Sequence, residues 1–346
     1  MARPPKPALP LRDGVAASAV FCPAGPWPSY SAFLNERLPR VLDWPERIAR
    51  GDVVDDAGRP LPDSPYRAGR RVYYWRYLEA EPEVPFDARI VFRDAHLLVA
   101  DKPHFLPVTP GGLYARQTLM ARLRHATGLE DLIPVHRLDR ETAGLVVFSL
   151  RRDERDAYHR LFRDRAVAKV YEAVAPRGEG PWPRTVRHRL AEPDGENFMQ
   201  MQVVDGAPNA ETWIDLVEPL ASGLARYELR PHTGVRHQLR AQMNALGLPI
   251  AGDRIYPLLQ PHENPPRFDA PLRLVAREIS FTDPVTGTLR SFSRSAATMA
   301  PPRSRRPTPR PKCRNCAAGC SRCWTPPMQT SASWTASTRW SAASSR

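Results

Sequence analysis

After Phe292 the 346-residue chain contains no valine, leucine, isoleucine or phenylalanine, so any large core must be built from what precedes it. Positions 295–346 hold nine basic residues, no acidic ones, three tryptophans and four of the five cysteines. A segment without branched aliphatic residues buries too little apolar surface to offset the entropy of ordering it. It reads as a disordered basic tail, or as the out-of-frame translation of a GC-rich gene. Two C-x-x-C pairs, Cys313/Cys316 and Cys320/Cys323, lie in this tail with only three residues between them. Structural zinc sites separate their pairs by a longer loop and sit among apolar residues, so the disordered reading is preferred and no metal is expected.

That partition changes the meaning of the charge. The whole chain has 50 Lys+Arg against 37 Asp+Glu, a formal +13 that suggests a polyanionic partner. Residues 1–294 carry 41 basic and 37 acidic residues, only +4. Bulk charge therefore says little about the folded part, and a nucleic-acid reading has to rest on placed residues. A hydrophobic fraction of 42% with 25% charged residues suits a soluble globular protein of about two domains. No apolar run approaches the roughly 18 residues of a membrane span. Prolines at 4, 5, 7 and 10 and Asp13 interrupt any signal-peptide core. A cytoplasmic monomer is expected, with Cys22 the sole cysteine before the tail, as suits a reducing compartment.

Residues 1–30 read as an extended Pro-rich leader. Residues 31–80 read as a compact module: a helical pattern from Ser31 with Phe33, Leu34, Leu38 and Leu42 on one face, ended or kinked at Pro39, a second helix from Pro45 to Gly51, then a small sheet around Val53-Val54 and residues 70–75. An acidic, Pro-containing linker at 79–85 leads into residues 86–294. There the pattern predicts strands at 89–92, 97–100, 144–150, 169–175, 212–217, 225–229 and 274–280, and helices at 118–127, 155–165 and 237–246. Strands and helices without regular βαβ alternation point to an α+β fold. Glycine-rich phosphate loops and a G-x-S-x-G elbow are missing, so nucleotide-cofactor and serine-hydrolase chemistry start weak.

The densest polar stretch beside an apolar run is 134–144, with His136, Arg137, Asp139, Arg140 and Glu141 at the mouth of a predicted buried strand. A carboxylate among cations stays ionised, and on a rigid edge it is able to act as nucleophile or electrostatic stabiliser. The same spacing also suits an aspartate that merely caps a turn or pairs with an arginine.

HRLDRETAGLVVFS (136–149) resembles the catalytic signature of the RluA family of RNA pseudouridine synthases, H-R-L-D-x-x-T-[SA]-G. Three further stretches resemble that family in the expected order: DKPHFLPVTPGG (101–112), AVAKVYEAV (166–174) with a K-x-Y pattern, and LRPHTGVRHQLRAQMNALGLPIAGDRIY (229–256). Residues 272–292 resemble its closing strands, so the likeness covers about residues 86–294. The module at 31–80 resembles, more weakly, the alpha-L RNA-binding domain found before the catalytic domain in many members.

The resemblance implies a catalytic domain with a mixed or antiparallel central sheet flanked by helices and loops. It implies isomerisation of specific uridines in structured ribosomal or transfer RNA, without cofactor. Asp139 then corresponds to the essential aspartate, Tyr171 to the tyrosine that packs on the target base and helps remove the C5 proton, and Arg240 to the arginine paired with the aspartate. Arg137 corresponds to the residue that displaces the target nucleotide, and His136, Lys102, His237 and Gln238 fall among the RNA-contacting positions. Taken alone, Tyr171 would pass for a core aromatic and Arg240 for a solvated helix residue. Two positions depart from the family: Val235 follows Thr-Gly in place of the usual arginine, and His104-Phe105 replaces x-Gly after D-K-P. The competing readings are a non-catalytic RNA-binding protein on this scaffold and an N-glycosidase in which water completes the reaction.

Overall fold

The computed structural model describes residues 9–39, 41, 43–76, 81–193, 199–261, 263 and 266–294. Leu42, part of the 79–85 linker and the cysteine-bearing tail lie outside these residues.

The first part is a small three-stranded sheet with two helices. Its elements are β1 (Ser18–Phe21), α1 (Tyr30–Arg37), α2 (Trp44–Ala49), β2 (Val53–Val54) and β3 (Arg71–Tyr74), with β3 central and both pairings antiparallel. Ser29 caps α1, its hydroxyl accepting from the Ala32 amide. Phe33, Leu34, Trp44 and Ile48 turn inward onto Val53, Val72 and Tyr74. The helices lie where the apolar spacing puts them. Part of the expected leader, however, is structural: Ser18–Phe21 pairs with β3, and Cys22 is buried behind it. The prolines at 23, 26 and 28 follow this strand rather than interrupt it, which is why composition alone misses a four-residue strand.

The second part is built on one sheet. Its elements are β4 (Arg89–Arg93), β5 (Leu97–Lys102), α3 (Leu119–Thr127), β6 (Ile133–Pro134), β7 (Ala143–Ser149), α4 (Arg155–Arg163), β8 (Ala168–Pro176), β9 (Arg184–Ala191), β10 (Gln202–Val204), β11 (Ala210–Pro219), β12 (Leu224–Pro231), α5 (Gln238–Ala245), β13 (Leu274–Thr282) and β14 (Leu289–Ser293). The eleven strands run β10-β9-β11-β12-β8-β13-β7-β5-β4, with β14 on β13 and β6 on β7. Among the described residues every pairing is antiparallel except β13 with β7, so the sheet is mixed, as the α+β reading expects.

β5 and β7 are buried on both faces, which explains their unbroken apolar runs. One face, with Leu98, Ala100, Val146 and Phe148, packs against Leu119 and Leu123 of α3. The other, with Leu97, Val99, Leu145 and Val147, packs against Tyr158 of α4 and against Ile279 and Phe281. Further along the sheet, Leu239 and Met243 of α5 cover Ala173, Ile214, Tyr227 and Leu229. The strand β9 escapes the sequence pattern because its outward positions carry Thr185, Arg187 and Arg189 and only Val186 and Leu190 on the alternate face are buried.

The parallel contact has a strict requirement at Gly144. Its φ is +121°, and a Cβ there would stand 2.3 Å from the Ala276 carbonyl oxygen. Only glycine lets β7 and β13 approach at the register Gly144↔Ala276.

Candidate active site

The loop between β6 and β7 delivers Asp139 to a cleft of about 130 Å³, walled by Arg137, Thr142, Lys169, Tyr171, His237 and Arg240. The Thr142 amide donates to the Asp139 carbonyl at 3.1 Å, closing a tight turn that feeds the chain into β7. The Asp139 side chain remains 28% exposed and faces the cleft.

Arg240 comes from the first turn of α5 and is 2% exposed. Its Nη1 donates to Asp139 Oδ2 at 3.0 Å, while Nε and Nη2 grip Asp253 at 2.8 and 2.6 Å. Asp253, itself buried, also accepts the backbone amides of Ile255 and Tyr256. One planar guanidinium is thus clamped on one side and presented to Asp139 on the other. The two carboxylates hold Arg240 firmly protonated despite the desolvation that opposes it. His237 Nε2 lies 3.8 Å from Asp139 Oδ2. Burial pulls the imidazole below its ordinary range, with Asp139 pulling the other way, so it is held close to neutrality.

Tyr171 and Lys169 stand two residues apart on β8 and therefore share its cleft-facing side. Tyr171 joins the two apolar clusters on either side of β8. Burial, reinforced by the Asp139 charge, drives its hydroxyl well above the usual phenol range. Lys169 Nζ donates to the Thr233 carbonyl at 3.0 Å, and burial lowers its ammonium to about 8. Arg137 lies at the mouth of the cleft.

Three of the residues grouped with the RNA-contacting positions are engaged in contacts within the protein. His136 is turned inward: its Nε2 accepts the Val147 amide at 3.1 Å, its ring stacks 4.8 Å from Phe162, and burial pushes it down to about 3. Lys102 is fully buried, giving its three protons to the carbonyls of Pro103, Leu106 and Arg140 at 3.0, 2.8 and 3.1 Å. Neither side chain lines the cleft. Gln238 borders it, but both ends of its amide are spent. Nε2 donates to the Glu211 carbonyl and Thr212, and Oε1 accepts from Thr233 and Val235. Gln238 is a strut that holds the 233–235 turn on β11. A polar residue in a polar motif looks alike in sequence whether it faces solvent or satisfies buried backbone.

Lys169 and Asp253 are cleft-building residues that the sequence reading left without a role. The signals were present: K-x-Y places a lysine on the tyrosine's face, and G-D-x-x-Y carries the aspartate. The departures from the family also resolve. Phe105 occupies φ +66° with its ring buried against Phe86 and Phe268, so apolar packing offsets a left-handed backbone. Val235 packs near Tyr256, and Arg236 pairs outward with Glu192 at 3.2 Å.

Residues 96–245 match a family model described as RNA pseudouridylate synthase. The chain is 31% identical over 226 residues to an uncharacterised RNA pseudouridine synthase of Synechocystis sp., covering 62% of this chain and 73% of that protein. It is 31% identical over 218 residues to the dual-specificity RNA pseudouridine synthase RluA of Haemophilus influenzae, covering 62% and 96% respectively. Among solved structures, human RNA pseudouridylate synthase domain containing 1 superimposes with a TM-score of 0.52 at 22% identity, over 66% of this chain and 94% of the human one, a likeness of fold.

Proposed function

Because the chain belongs to the RluA family of RNA pseudouridine synthases, we propose that Asp139 is the group on which its isomerisation of uridine turns. The reaction breaks the bond between C1′ of ribose and N1 of uracil, turns the ring, joins C1′ to C5, and moves one proton from C5 to N1. No electrons are gained or lost. The observation that carries the proposal is the 3.0 Å contact between Arg240 and Asp139 in a cleft walled by Tyr171.

As the glycosidic bond lengthens, the sugar gains positive character, and a carboxylate stabilises it by charge or by adding to it. Arg240 aims Asp139 and balances its charge. Tyr171 gives the freed uracil a flat wall to turn against. Burial and the Asp139 charge raise its hydroxyl above the ordinary phenol range, which disfavours a phenolate base for the C5 proton and leaves packing as its role. Arg137, at the mouth, occupies the space that the uridine leaves on its way out of the RNA stack, an extrusion that costs roughly a few kcal/mol and least in a loop. The inward-turned His136 and the buried Lys102 and Gln238 hold the backbone on which these groups stand.

The substrate is proposed to be structured ribosomal or transfer RNA, with the module at 31–80 as an alpha-L-like RNA contact and the enzyme working as a cytoplasmic monomer. No helix among the described residues is long and apolar enough to cross a membrane. The test is product analysis after incubation with ribosomal and transfer RNA. Pseudouridine from the wild type, lost by about 10⁴-fold or more in Asp139→Ala, is the expected result. Free uracil would mean hydrolysis, and retained activity in the variant would remove Asp139 from its role. Mapping pseudouridines in RNA from cells with and without the gene identifies the target.

A further inference from the structure

A second cleft, of about 520 Å³, lies where the N-terminal module meets the catalytic domain. Four arginines from four separate segments line it: Arg12 before β1, Arg50 after α2, Arg76 after β3, and Arg116 in the loop before α3. Two carboxylates share the lining, Asp13 and Asp52. Four guanidinium groups thus face two carboxylates in the lining, with Glu81 a third beside Arg116.

The arrangement is held from both sides. The Arg12 guanidinium carbon lies over Trp75, 3.9 Å from the ring centroid, and Arg12 also bonds Asp52. Arg50 reaches Asp52 at 3.3 Å. Arg116 reaches Asp13 at 3.7 Å and Glu81 at 3.5 Å, and the Glu81 carboxylate accepts the amides of Ala115, Arg116 and Gln117. Arg76 donates to the Gly112 carbonyl at 3.2 Å. The loop that carries Arg116 also carries Tyr114, whose hydroxyl accepts from Arg140, the residue after Asp139. One short loop thus forms a wall of this cleft and touches the catalytic turn.

We propose that this cleft binds the phosphodiester backbone of the substrate RNA outside the target nucleotide, so that module and catalytic domain grip one strand together. The inference rests on the assignment of RNA as substrate. Guanidinium groups match phosphate oxygens two at a time, and the volume is in the range of roughly 300–1,000 Å³ typical of ligand sites. Arg12 already covers the Trp75 ring, so that ring is closed to base stacking. The interaction is one of charge and shape, and it strengthens binding to all RNAs without reading their sequence.

The experiment measures binding of a fluorescently labelled RNA hairpin with uridines in its loop, across a range of salt concentrations. Arg76→Glu should weaken affinity about tenfold at low salt and flatten the slope of log K against log salt by about 0.7–0.9 for each phosphate no longer neutralised. Asp13→Asn should do the reverse, tightening binding a few-fold. Asp13 sits at φ +50°, which asparagine tolerates, so this variant keeps the fold, and a gain is not what a merely structural role gives. In turnover assays on ribosomal and transfer RNA, the Arg76→Glu defect should fall on KM. Unchanged affinity and salt slope in both variants would overturn the cleft. Because binding is read without turnover, that outcome is distinct from a wild-type protein that makes no pseudouridine, which would overturn the function instead.

Discussion

Arg240 and Asp139 are 101 residues apart in the chain and 3.0 Å apart in the cleft, and Asp253 grips the other edge of the same guanidinium. Breaking a buried pair leaves an uncompensated charge and costs about 3–5 kcal/mol. Arg240→Leu should lower unfolding free energy by about that much, measured by urea denaturation, because Asp253 is left stranded. Asp253→Asn keeps Arg240 beside Asp139 but loosens its aim. Its expected signature is a fall in kcat of about 10–100-fold with a smaller change in KM. Full activity in Asp253→Asn would show that the clamp does not orient the catalytic pair.

Lys102 makes a related prediction from the opposite side of the loop. Its ammonium joins the 103–106 turn to the Arg140 carbonyl, one residue past Asp139. Burial lowers it to about 7, while Glu141 and Asp139 pull it back up. Lys102→Met retains the volume and removes the charge and all three donors. The catalytic turn should shift, lowering kcat by about 100-fold with KM little changed. A fall in stability with kcat unchanged would reduce Lys102 to a packing role.

At Gly144 the expectation concerns space. Gly144→Ala would drive a methyl into the backbone of Ala276 at the parallel β7–β13 contact and should destabilise by more than about 3 kcal/mol. Gly223 offers the control, since it also has positive φ, +72°, but open surroundings. Gly223→Ala should cost only about 1 kcal/mol of backbone strain. Equal costs in the two variants would mean that strain, not close approach, governs Gly144.

These residues also mark how far the sequence could be read. The elements with strong periodicity, α3, α4, α5 and the strands β7, β8 and β13, fall within a few residues of their sequence-predicted bounds, because two-sided or one-sided burial leaves a direct trace in the apolar pattern. β1 and β9 leave weak traces, being short or arginine-rich. In the site, the motif spacing brings Asp139, Tyr171, Arg240, Arg137 and His237 to one cleft. It does not tell that Lys102 and His136 face inward, since satisfying buried carbonyls and amides needs the same polar side chains as touching RNA. Nor does it reveal the arginine-lined cleft, whose members are scattered over more than a hundred positions and meet only in the fold.

The inward histidines give the last prediction. His136 and His104 are pushed by burial to about 3 and about 4, from an ordinary value near 6.5. In the unfolded chain both take up a proton as pH falls through about 6.5, whereas in the folded state both stay neutral until far lower pH. Their stabilisation is therefore complete above about pH 6.5 and is lost as pH drops toward 4. Each histidine removes up to about 1.4 kcal/mol per pH unit in that window. Asp55 and Asp283, held below the ordinary carboxylate range, lose their contribution only below about pH 4, so they do not confuse the upper window. Guanidinium denaturation from pH 7.5 to 4.5 should show unfolding free energy falling steadily below about 6.5. His104 donates through Nδ1 to the Glu141 carbonyl, two residues from Asp139, so activity should fail over the same acid range as the loop loosens. A stability profile flat down to about pH 4.5 would mean that the imidazoles titrate freely and are not sealed behind the catalytic turn.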